Sequence, residues 1–159
     1  MNELNGYDVE DLRVGQQATF SKTITEADIV LFAGVSGDNN AIHVNEEFAA
    51  TTRFGGRIAH GFLTASVISA AVANRLPGPG TIYLSQQLNF RAPVRIGQTV
   101  NASVTVSAID RERRRVTLDT VCRVGETVVI DGQALVMTTS SEKRRPKTFA
   151  AAMPALSLV

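Results

Sequence analysis

From Gly61 to Leu76 the chain reads GFLTASVISAAVANRL, apolar on nearly every side at helical spacing, and no other stretch restricts the fold so much. A bilayer span needs about 20 apolar residues. This segment is shorter and ends in Asn74-Arg75, so it is predicted as a helix buried in a protein core. Pro77-Gly78-Pro79-Gly80 stops it, because proline cannot continue a helix and glycine accepts the turn conformations that follow. A helix apolar all round must be covered all round. A curved sheet wrapped around it does most of that, and a second subunit closes the remainder.

The segments around this helix have a period of two. Thr99 to Ile109 puts Val100, Ala102, Val104, Val106 and Ala108 on one face and polar residues on the other, the alternation of a half-buried strand. Val116, Leu118, Thr120 and Cys122 repeat the pattern after a charged turn, Asp110 to Arg115, and Thr127 to Thr139 supplies another strand around Gly132. Two further strands are predicted at Ala18 to Ile24 and Thr81 to Phe90. Thr25 reads as the N-cap of a short helix, Glu26 to Val35, with acidic residues in its first turn. Helices grouped early and strands grouped late predict an α+β fold with a curved antiparallel sheet.

Composition narrows the function classes. The chain has 159 residues, 44% of them hydrophobic and 19% charged, which suits one domain with a real core. A net charge of +1 argues against a nucleic-acid partner. The single cysteine, Cys122, has no internal disulfide partner and is expected to be inert core. Met1 to Val14 carries acidic residues and no apolar run, so no signal peptide is expected and the protein is placed in the cytoplasm, with no membrane partner.

Both histidines of the chain fall in two short motifs, Gly37-Asp38-Asn39-Asn40-Ala41-Ile42-His43 and Ala59-His60-Gly61-Phe62. A carboxylate and an imidazole that meet in a cleft can hold one water and move its protons, as a hydratase or a hydrolase requires. The same pair in a polar turn also has a plain structural use as a turn cap. His60, just before the long helix, is expected to hydrogen-bond backbone.

Ser36-Gly37-Asp38-Asn39-Asn40-Ala41-Ile42-His43, Phe48-Ala49-Ala50 and Ile58-Ala59-His60-Gly61-Phe62-Leu63 together resemble the R-specific enoyl-CoA hydratases, the MaoC-like dehydratases of hot-dog fold. The likeness continues through Ile82-Tyr83-Leu84, Leu88-Asn89-Phe90, Pro93-Val94 and Gly97, covering roughly residues 10 to 139. It implies a single hot-dog domain, 1–139, followed by a tail, 140–159. It also implies that Asp38 and His43 are the catalytic pair and that the Gly61 backbone N–H faces the thioester oxygen. Asn40, which shapes the turn, and Ser69, near the aspartate, complete the implied substrate-binding set. Where the family usually has proline this chain has Ala41, which leaves the loop less restrained and the Asp–His spacing unchanged.

The implied activity is reversible hydration of an enoyl-CoA thioester to the (R)-3-hydroxyacyl-CoA in a homodimer or higher homo-oligomer. That chemistry requires neither a metal nor an organic cofactor. Alternatives are a dehydratase acting on acyl carrier protein or on branched or dicarboxylic acyl-CoA, a thioesterase, and a non-catalytic acyl-thioester binding subunit. Retention of both Asp38 and His43 speaks against the last. The Asp110–Arg115 turn is expected to be solvated, with the phosphates of coenzyme A as its alternative partner. Ser140 to Lys147 has a linker's composition, and Phe149 to Val159 is apolar and alanine-rich.

Overall fold

Alternating apolar residues build one antiparallel sheet, and the apolar helix lies across it. The computed structural model describes residues 6–142. Its elements in order are β1 (Gln17–Thr23), α1 (Glu26–Ser36), α2 (Ala41–Val44), α3 (Glu46–Ala50), α4 (Gly61–Asn74), β2 (Ile82–Phe90), β3 (Thr99–Asp110), β4 (Arg115–Val124) and β5 (Thr127–Met137). The strands run β1-β3-β4-β5-β2 across the sheet, every neighbouring pair antiparallel. This is the predicted α+β architecture, a curved antiparallel sheet around a long helix. Of the described residues, no helix is long and apolar enough to cross a membrane.

The core is the contact between α4 and the inner face of the sheet. Leu63, Val67, Ile68, Ala71 and Val72 of α4 pack with Val100, Ala102, Val104, Val116, Leu118 and Cys122. Burial pushes the Cys122 thiol up to about 12, which keeps it a thiol and fits an inert core residue.

Two sequence expectations shift in detail. The strict alternation of β3 holds from Val100 to Val106 and then breaks: the register with β4 slips between Val106 and Ala108. Ala108 is consequently exposed and Ile109 turns toward the core, because one extra residue in a strand swaps its faces. The long helix ends at Asn74, with Arg75 already non-helical at φ −128°, two residues before the expected Leu76. The backbone N–H of Gly78 then donates to the Val72 carbonyl at 2.9 Å and closes the turn.

Among the described residues α4 is covered on one side only. Phe62, Ser66, Ser69 and Ala73 form a single exposed face, with Phe62 67% exposed. At the other end of the body, Val9 N–H donates to the Thr139 carbonyl, and the Ser140 and Ser141 hydroxyls donate to the Glu10 carboxylate. Residues 143–159, most of the expected tail, lie outside the described residues.

Candidate active site

The first half of the site is built by the end of α1. Thr25 opens that helix with a reciprocal capping box: its hydroxyl accepts from Asp28 N–H at 3.2 Å, and its own N–H donates to the Asp28 carboxylate at 2.8 Å. Gly37 closes the helix in the left-handed conformation, φ +77°, which glycine adopts without strain. Asp38 follows directly. Its carboxylate accepts from Asn40 N–H at 3.2 Å, and its N–H donates to the Ser36 hydroxyl at 3.1 Å, so the turn is held on both sides.

Asn40 then caps α2, its side-chain oxygen accepting from Ile42 N–H at 3.3 Å. Ala41 occupies the first helical position, where proline is favoured, and the Asn40 cap starts the helix without it. One turn on, His43 points into the protein and is 7% exposed.

The tautomer of His43 follows from its partner. Nδ1 lies 2.8 Å from the Ile58 carbonyl, an oxygen that only accepts, so Nδ1 carries the hydrogen and Nε2 the lone pair. Burial holds this imidazole below its ordinary value. The neighbouring His60 adds to that, while the Ile58 carbonyl and the Asp38 carboxylate oppose it. His43 is therefore neutral near pH 7 and able to accept a proton at Nε2.

His60 lies against it. The two imidazole rings stack with centroids 3.9 Å apart and planes 32° apart, and Phe32 of α1 contacts the His60 ring at 5.0 Å. His60 Nε2 is 3.0 Å from the Asp38 carbonyl oxygen, the backbone hydrogen bond that its position suggested. Asp38, His43 and His60 each offer one ligand atom within 4.8 Å of the others, and among the described residues no other group of three could converge on one cation in this way.

Gly61 follows His60 as the first residue of α4. The N-cap residue, His60, makes no side-chain hydrogen bond to the helix, so it leaves the first-turn amides uncapped. His43, Gly61 and Thr64 line one cavity of about 220 Å³ together with Phe90, Ala92 and Pro93. The Phe90 ring lies over Gly61: a Cβ built there would sit 2.7 Å from the ring edge. Arg57 braces the segment leading to the helix. Its guanidinium bonds both carboxylate oxygens of Glu26 on α1, at 2.9 and 2.5 Å, and its Nε reaches Glu46 on α3 at 3.3 Å.

The structure thus brings Asp38 to His43 and His60, and His43 and Gly61 to one cavity; Asp38 and Asn40 stand on the exposed turn beside it and do not line it. Ser69 stands elsewhere within this chain, two turns further along α4 on its exposed face, and does not line the cavity. The Asp110–Arg115 turn is at the opposite end of the sheet from Phe90 and Ile130, folded on itself by the Asp110–Arg113 contacts. Sequence reasoning missed Thr64, Phe90 and the Arg57 brace. Thr64 had a signal, a polar residue in an apolar helix; the brace had none, since its partners stand 11 and 31 positions away.

This fold and this arrangement define a class, the hot-dog hydro-lyases. A MaoC-like domain matches residues 11–130, and the chain belongs to that family. It is 56% identical over 128 residues to an (R)-specific enoyl-CoA hydratase of Rhodospirillum rubrum, covering 80% of this chain and 89% of that one. It is 53% identical over 137 residues to a 3-hydroxybutyryl-CoA dehydratase of Methylorubrum extorquens, covering 86% and 87%. The R-hydratase PhaJ1 of Pseudomonas aeruginosa superposes with a TM-score of 0.81 at 41% identity, covering 86% of this chain and 88% of that one. The chain is accordingly an enzyme, a hydro-lyase.

Proposed function

We propose that the protein reversibly hydrates trans-2-enoyl-CoA to (R)-3-hydroxyacyl-CoA with a water held between Asp38 and His43. The observation that carries this reading is their separation. A carboxylate oxygen of Asp38 and a ring nitrogen of His43 lie within 4.8 Å of each other, a span that one water bonded to each side chain at about 2.8 Å can bridge. Neutral His43 Nε2 takes one proton of that water and the Asp38 carboxylate orients the other. The water oxygen bonds to the β-carbon, the double-bond pair moves toward the α-carbon, and the thioester oxygen takes up the negative charge. Gly61 N–H, at the positive end of α4, donates to that oxygen. The proton held by His43 then passes to the α-carbon on the same face. Reversal of these steps is the dehydration.

The enzyme works as a homodimer or a higher homo-oligomer in this reading. Two features of the chain support that. Among the described residues the outer face of α4 is bare, and β2 is an edge strand whose Ile82, Leu84 and Phe90 are 52%, 42% and 51% exposed. A second copy across β2 covers both and places the Ser69 face against the partner.

The test is crotonyl-CoA hydration with chiral analysis of the product. The expected result is (R)-3-hydroxybutyryl-CoA. An (S) product, or free coenzyme A from hydrolysis of the thioester, overturns the reading.

A further inference from the structure

His60 is more thoroughly built into the site than a helix-start residue needs to be. It is 1% exposed, in ring contact with both Phe32 of α1 and His43, and hydrogen-bonded to the backbone of Asp38. It stands at the N-cap of α4, where Ser, Thr, Asp or Asn serves a helix best, and makes no capping bond. Its side chain turns away from the helix it precedes and toward the Asp38–His43 pair.

The hydrogen bond defines the ring's state. The Asp38 carbonyl oxygen only accepts, so Nε2 carries a hydrogen, and in the neutral ring Nδ1 holds the lone pair. Among the described residues that Nδ1 is buried with no hydrogen-bond partner, an arrangement that costs stability. An apolar ring would fill the same space without that cost. The imidazole supplies a donor to Asp38 from one edge and a flat face to His43, and an apolar ring lacks the donor.

We propose that His60 is a positioning residue for the dyad: its Nε2–H holds the Asp38 turn, and its ring face sets the plane of His43. This rests on the reading of Asp38 and His43 as the groups that hold the water. His60 does not touch the substrate. It sets the distance between the two groups that do, and misplacement by about 1 Å in such a pair costs on the order of a hundredfold in rate.

His60→Gln and His60→Asn separate this role from a structural one. Both put an amide in the same buried space. The Gln amide reaches about as far as Nε2, whereas the Asn amide stops near the height of Nδ1. With crotonyl-CoA, His60→Gln is expected to keep kcat within about threefold of the parent, while His60→Asn lowers it about tenfold or more with KM within about twofold. Equal losses in the two variants, or losses that follow the folded fraction measured by thermal unfolding, overturn the proposal. Imidazole 15N spectra of the parent are the second arm and need no turnover. His60 is expected as the Nε2–H tautomer and His43 as Nδ1–H, and a His60 found as Nδ1–H overturns the proposal. A parent that fails to hydrate crotonyl-CoA overturns the hydratase reading instead, and the tautomer then decides this one.

Discussion

Asp38 and His43 receive opposite treatment from the fold, the carboxylate exposed on a turn and the imidazole buried beneath it. Asp38→Asn and His43→Gln are each expected to lower kcat by about a hundredfold or more with the fold intact. Acting on one water as a unit, they should give a double variant little worse than either single; near-parental turnover in either single removes that residue from the mechanism. The pH dependence follows from burial. His43 titrates below its ordinary 6.5, so the acid limb of kcat/KM is expected below pH 6.5. Stability carries the same sign. As pH falls through 6.5 the unfolded chain takes the proton first, and stability is lost until the folded imidazole protonates. Thermal unfolding from pH 7 to 5 should show this loss in the parent and less of it in His43→Gln. At Gly61 a side chain meets the Phe90 ring edge. Gly61→Val is expected to lower kcat/KM by about a hundredfold or more, beyond what its change in Tm explains; parental kcat/KM in a folded variant moves the oxyanion donor elsewhere.

At the scale of elements, α1 leads into the Asp38 turn and the β2–β5 pair supplies Phe90 and Ile130 to the cavity. Removing the α1 cap with Thr25→Ala is expected to cost about 1 kcal/mol, since one reciprocal capping box is lost on a partly exposed helix. Gly132 is a harder case. A Cβ there would sit 1.9 Å from the Gln87 carbonyl oxygen across the β2–β5 pairing, and backbone cannot swing aside as a side chain does. Gly132→Ala is therefore expected to cost about 2 kcal/mol or more and to loosen β2, which carries Phe90 at the cavity wall. Urea unfolding of the two variants compares them directly. A Gly132→Ala protein as stable as Thr25→Ala contradicts the close approach.

For the whole molecule the open question is what covers the outer side of α4 and the free edge of β2. Light scattering at micromolar concentration is expected to report about twice the chain mass of 17.0 kDa, or a higher multiple. Leu84→Arg, placed on the exposed edge strand away from the dyad, should shift that mass toward the single chain. A parent at 17.0 kDa defeats the dimer.

Local features were legible before folding. The alternation in β3 and β4, the apolar run of α4, the Thr25 cap and the Pro-Gly stop at residue 77 each act within a few residues, where propensity and periodicity speak directly. The neighbourhood of Asp38 and His43 was legible for the same reason: five positions apart, joined by one capped turn. The stack of His60 on His43 joins residues 17 positions apart, and the Arg57 brace gathers Glu26 and Glu46 from two other elements. Neither spacing has a period that a local pattern can show. The slip after Val106 and the bare face of α4 also belong to the tertiary level. The sequence marks those residues as apolar or alternating, and only the packing of sheet against helix decides which of them find a cover inside one chain.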